Sequence, residues 1–128
     1  MDFQIIENGI LAHAEHGDLK IASKGQNGYR PYELLVSSIV GCSGATLRKI
    51  LEKMRLPFTE LKISTLEKRN PDEANRVEEI KIKFMIFGED LPESKIKKAI
   101  ELTRKNCGMI QSVKDSIRIH ESYELRQG

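Results

Sequence analysis

Between Glu33 and Arg48 the chain carries no charged residue, although 31% of all its residues are charged. This run, Leu34-Leu35-Val36-Ser37-Ser38-Ile39-Val40-Gly41-Cys42-Ser43-Gly44-Ala45-Thr46-Leu47, limits the fold more than any other feature. Pro31 suits a first helical turn, where its missing N–H would have no partner and its φ already fits. Apolar residues recur at Leu35, Ile39, Cys42, Thr46 and Ile50, and again at Val36, Val40, Leu47, Leu51 and Met54. Spacings of three and four predict a helix from Pro31 to Met54. Two apolar stripes separated only by Ser, Gly and Thr predict burial nearly all round. The uncharged run falls short of the roughly 20 residues that a membrane span requires, so it reads as a core helix. Its small residues, Ser37, Ser38, Gly41, Ser43, Gly44 and Ala45, allow another backbone to come close.

A chain of 128 residues has room for one domain with a substantial core, expected to cover residues 1–128. The net charge is +2, acidic and basic residues are interleaved, and aromatics make up 5%, so no nucleic-acid partner is expected. Met1-Asp2-Phe3-Gln4 has neither a basic nor an apolar leader segment, and a cytoplasmic protein without a membrane partner is expected. Two cysteines far apart make neither a disulfide framework nor a zinc ribbon.

In chain order, Asn8-Gly9 between Phe3–Glu7 and Ile10–Ala14 predicts a hairpin, because both residues accept positive φ. A short third strand, Leu19–Ala22, and a loop over Ser23–Gly28 lead into the long helix. That helix should stop before Pro57. Phe58–Arg69 and Val77–Phe87 alternate apolar and polar residues, which predicts two long antiparallel strands with one wet face. A second helix is expected over Pro92–Asn106, with Ile96, Ala99, Ile100, Thr103 and Cys107 on its apolar stripe. Asn106-Cys107-Gly108 interrupts it, Met109–Lys114 forms a further turn, and Ser116–Arg126 closes the chain as a strand. The order predicts an α+β fold with antiparallel sheets, since strands come in hairpins and do not alternate singly with helices.

Cys42 and Cys107 each lie on the inward stripe of a helix. Free cysteine is usually a small buried hydrophobe, so the pattern alone leaves two readings, inert core thiols or a redox pair. His13-x-x-His16 and His120 do not present a common face, and no metal site is expected. Gly25-x-x-Gly28 lacks the lysine and the strand-to-helix setting of a phosphate loop and reads as a turn.

Pro31-Tyr-Glu-Leu-Leu-Val-Ser-Ser-Ile-Val-Gly-Cys-Ser, followed downstream by Asn106-Cys107-Gly-Met-Ile, resembles the OsmC/Ohr family of organic hydroperoxide reductases. The closing His120-Glu-Ser-Tyr-Glu124 is similar to a less characterised branch of that family. The resemblance covers essentially the whole chain. It implies two long core helices within an intertwined homodimer. It also implies a peroxidase for oxidative-stress defence, in which Cys42 is peroxidatic and Cys107 resolving. No bound cofactor is implied; an external dithiol, characteristically a lipoyl group on a partner protein, would be the reductant. The alternative is a non-peroxidase member that binds a small apolar or thiol ligand in the dimer cleft.

Family peroxidases hold the thiolate with an arginine from the N-terminal strands and orient that arginine with a glutamate. Residues 1–29 contain no arginine, and Arg30 at the helix entrance is the nearest one. Tyr32 occupies the glutamate's position and Glu33 follows one place later, a rotation of about 100° on a helix. Gly108 stands where the family has proline. Cys42 lies about three turns inside its own helix, beyond reach of that helix's N-terminal end. A raised Cys42 pKa is therefore expected, with slower turnover than a standard member and activity rising toward about pH 8 to 9.

Overall fold

The computed structural model describes residues 1–24 and 26–127. Gly25, and with it part of the expected Gly25-x-x-Gly28 turn, lies outside the described residues. The chain divides into two compact units, Met1–Ser37 and Ser38–Gly128.

The N-terminal unit holds a three-stranded antiparallel sheet of β1 (Asp2–Ile6), β2 (Gly9–His13) and β3 (Asp18–Ile21), followed by the start of α1 (Pro31–Lys53). The first hairpin turns one residue earlier than expected. Ile6 pairs with Gly9, so Glu7 and Asn8 form the loop, and Asn8 takes the left-handed conformation with φ 66°. Gly9 serves another purpose. A Cβ there would stand 2.5 Å from the Ile21 carbonyl oxygen, so glycine is what lets β3 close against β2. At the entrance of α1 the Arg30 N–H donates to Glu33 Oε1 at 3.0 Å, a carboxylate satisfying an otherwise orphaned donor.

The second unit takes the rest of α1, then β4 (Phe58–Asn70), β5 (Arg76–Gly88), α2 (Glu93–Asn106), α3 (Gly108–Val113) and β6 (Arg118–Arg126). α1 ends in a Schellman arrangement. Arg55 is left-handed at φ 57°, Leu56 N–H donates to the Leu51 carbonyl at 3.1 Å, and Arg55 N–H donates to Glu52 at 3.0 Å. Leu56 is then buried and Pro57 blocks continuation.

The sheet order is β4-β5-β6. β4 and β5 are antiparallel, as their alternation predicts, but β6 runs parallel to β5. The expectation of purely antiparallel sheets is corrected here. A strand leaving β5 must travel back through α2 and α3 before β6 begins, and a helical crossover of that length delivers a parallel neighbour. Ile80, Ile82, Phe84 and Ile86 form the buried face of the central strand, each at most 1% exposed. Ile96, Ala99, Ile100 and Thr103 of α2 and Ile119 of β6 complete the core.

Length and apolarity would let α1 cross a membrane, yet Ile39, Ser43, Leu47 and Leu51 are buried within the chain. Its burial is one-sided, however, and the expected all-round burial is not met by this chain alone. Ser37, Ser38, Gly41 and Ala45 are exposed. Gly44, at the edge of this strip, is half-buried: a Cβ there would lie 3.0 Å from Ile63 Cδ1, so the small residue lets β4 approach the helix.

A candidate thiol site

α2 and α3 are one helical path broken at a single residue. Cys107 N–H still donates to the Thr103 carbonyl at 2.9 Å, closing α2. Its own backbone is extended (φ −82°, ψ 109°), and it serves as both the C-cap of α2 and the N-cap of α3. The break matters because the first N–H groups of any helix lack intrahelical acceptors. Here those orphan donors meet sulfur.

The backbone N–H of Met109 donates to Cys42 and acts on it most strongly, followed by the Cys107 thiol; the Gly108 N–H also donates. Together they hold the Cys42 thiol below its ordinary pKa, and burial only partly opposes them. Thr46 contributes least. Its single hydroxyl proton is already used in a 2.8 Å bond to the Cys42 carbonyl. Cys42 is half-buried and unbridged.

Cys107 behaves oppositely. It is 0% exposed, and burial pushes its thiol above the usual value, with the charge of the Cys42 sulfur adding to the rise. The N–H groups of Ile110 and Met109 favour its thiolate but do not overcome this. The pair is thus differentiated. One sulfur is half-buried with its pKa lowered, while the other is enclosed with its pKa raised and in hydrogen-bond contact with the first. This is the division that nucleophile and resolving thiol require.

Cys42 and Cys107 are therefore brought together. The raised Cys42 pKa expected from the sequence is corrected to a lowered one. The expectation considered only the N-terminus of Cys42's own helix, whereas the donors come from α3. Gly108 and Met109 are the residues missed. The sequence did hold a signal for them: a glycine directly after a cysteine at a helix break, where a proline would have no N–H to offer. Arg30, Tyr32 and Glu33 lie in the N-terminal unit, where Glu33 accepts the Arg30 N–H. His13 pairs with Asp18 at 2.8 Å. Among the described residues no cluster of three or more His, Cys, Asp or Glu could hold a metal.

Gly108 permits a clean test. A Cβ at this position meets nothing within 4 Å, it is the first residue of α3, and the extended Cys107 before it is compatible with a following proline. Gly108→Pro should therefore fold normally yet raise the Cys42 pKa slightly, because the stronger Met109 and Cys107 donors remain. Gly108→Ala, which keeps the N–H, should leave it unchanged. Alkylation rate against pH reads both.

A family model described as OsmC-like protein matches residues 23–122. A hypothetical protein from Aquifex aeolicus has a similar structure at TM-score 0.88 and 29% identity, covering 99% of this chain and 95% of that one. An OsmC-like protein from Mycoplasma pneumoniae follows at TM-score 0.83 and 17% identity, over 98% and 96%. The organic hydroperoxide resistance protein OhrB of Bacillus subtilis aligns at TM-score 0.67 and 14% identity, over 98% and 95%. At those last two identities the likeness is one of fold alone. No curated protein matches the chain significantly. With an α+β architecture of two long helices and two sheets, and a family model spanning most of its length, the chain belongs to the OsmC-like protein family.

Proposed function

We propose that the protein is a thiol-dependent peroxidase that reduces organic hydroperoxides in defence against oxidative stress, with Cys42 peroxidatic and Cys107 resolving. Membership of a family whose solved structures include organic hydroperoxide resistance proteins supports a role in peroxide stress. The observation that carries the finer reading is the hydrogen-bonded Cys42–Cys107 pair with opposite displacements of its two thiols.

The reaction balances as follows. The Cys42 thiolate attacks the terminal oxygen of ROOH, the O–O bond breaks, and the alkoxide leaves as ROH after taking a proton. Cys42 is then a sulfenic acid. The Cys107 sulfur attacks the Cys42 sulfur, a disulfide forms, and the hydroxyl leaves as water with the Cys107 proton. An external dithiol, of lipoyl type, exchanges with the disulfide and restores both thiols. No bound cofactor enters these steps. Backbone N–H groups fill the place that a cation holds in other thiol peroxidases, stabilising charge on sulfur without carrying charge themselves.

A cytoplasmic homodimer belongs to the same proposal. The exposed, uncharged strip Ser37, Ser38, Gly41 and Ala45 on α1 is the surface on which a second backbone could lie close. Light scattering at micromolar concentration should give roughly twice the chain mass, and a clean monomer contradicts this part of the reading.

The direct test is turnover of cumene or tert-butyl hydroperoxide with a lipoyl dithiol, together with labelling of Cys42 by a dimedone-type sulfenic-acid probe. If Cys42 takes no label after peroxide at neutral pH, the peroxidase reading fails. Binding of a small apolar or thiol ligand without chemistry then takes its place.

A further inference from the structure

β6 carries a carboxylate at a position where its neighbours are core residues. Glu121 lies opposite Ile82 in the parallel register, two places beyond Ile119, on the face that α2 covers. Its side chain is 4% exposed, and neither carboxylate oxygen has a hydrogen-bond partner among the described residues. Burial raises its pKa and the nearby Arg104 only partly opposes this. Arg104 Nη1 stands 3.8 Å from Glu121 Oε1, too far for a hydrogen bond, because the same nitrogen donates to the Ile119 carbonyl at 2.7 Å. A buried carboxylate without donors is costly, and an apolar residue would suit this place better if packing were its only purpose.

Beside it opens a cavity of about 290 Å³ lined by Ile100, Glu101, Arg104, Ile119, His120 and Glu121. That volume is near the lower end of small-molecule sites. The lining residues include two carboxylates, Glu101 and Glu121, and one guanidinium, Arg104, so acidic side chains outnumber the arginine when both carboxylates are ionised. Ile100 and Ile119 supply an apolar wall. The cavity shares no residue with the cysteine pair.

We propose that this cavity binds a small organic cation, a primary ammonium compound toward which the Glu121 carboxylate turns from its enclosed position, accepting the ligand's N–H groups while a short alkyl chain rests on Ile100 and Ile119. An ammonium group brings the donors that both oxygens lack and neutralises the excess charge. The alkyl part completes a wall that water would solvate poorly. Nothing in this site depends on the thiol chemistry.

n-Butylammonium chloride is the probe, titrated into the full chain carrying ¹³C-labelled glutamate. A saturable shift of the Glu121 side-chain carboxyl carbon is expected. Tetramethylammonium, with no N–H, and butyrate, with the opposite charge, should produce none. Glu121→Gln should weaken n-butylammonium binding about tenfold or more, the cost of losing charge-assisted hydrogen bonds. The labelled wild-type carbon reports independently if that variant folds poorly. No saturable shift, or equal affinity for tetramethylammonium, overturns the proposal. So does unchanged affinity in a folded Glu121→Gln protein.

Discussion

Cys42→Ser is expected to bring hydroperoxide turnover down to the rate of the free dithiol alone. The hydroxyl would still receive the Met109 and Gly108 N–H groups and would occupy nearly the same volume. Its pKa, however, lies so far above that of a thiol that two or three hydrogen bonds cannot ionise it near neutral pH. An un-ionised alcohol does not open a peroxide bond. The loss should appear entirely in turnover, with the thermal midpoint nearly unchanged, because Cys42 is only half-buried and the substitution is close to isosteric. Activity retained in Cys42→Ser would assign the chemistry to another group.

Cys107→Ser should fail differently. Its hydroxyl can still donate to the Cys42 sulfur, so the first oxygen transfer should proceed, giving one burst equivalent of ROH per chain. The sulfenic acid then has no thiol to condense with. It should persist, react with a dimedone-type probe, and advance to sulfinic and sulfonic acids under excess peroxide. Intact mass would show one added oxygen, then two and three. Steady-state turnover should be lost apart from slow direct reduction by dithiol. If Cys107→Ser instead turned over at the wild-type rate without over-oxidation, resolution would not pass through Cys107.

The fold was readable because its signals are local. Charge-free spacing marked α1, alternation marked β4 and β5, and Pro57 marked the end of the first helix. Observed bounds differ from these expectations by a residue or two, as at Lys53 for Met54 and Asn70 for Arg69. Parallel β6 was not legible, since alternation in a single strand is the same whichever way its neighbour runs. Nor was the earlier first turn, which depends on Gly9 yielding space to Ile21, a contact between strands. At the thiol site both sulfurs were visible by periodicity, and pairing them needed the family resemblance. Their electrostatics were not visible. The sequence shows charged side chains, and every residue but proline carries the same silent N–H, so α3's donors left no mark beyond the Gly108 break. Glu121 escaped for a similar reason. Alternation along the last strand puts Glu121 on the same face as Ile117, Ile119 and Leu125, and only its burial and missing partners set it apart.

Backbone donors from α3 hold the Cys42 thiol below its ordinary pKa while burial holds the linked Cys107 above it. The most direct measurement is a pH titration of the fully reduced wild-type protein, following thiolate absorbance and the rate of Cys42 alkylation together. Two interacting thiols lose their protons in separate macroscopic steps. The predicted result is a first step below the roughly 8.5 of an ordinary thiol, coinciding with the rise in Cys42 alkylation, and a second above it as Cys107 ionises. Peroxide turnover should follow the first step, so the Cys42 thiolate and the activity are both lost as pH falls through it. A single step near the ordinary thiol value, with Cys42 alkylation rising only there, would contradict the claim.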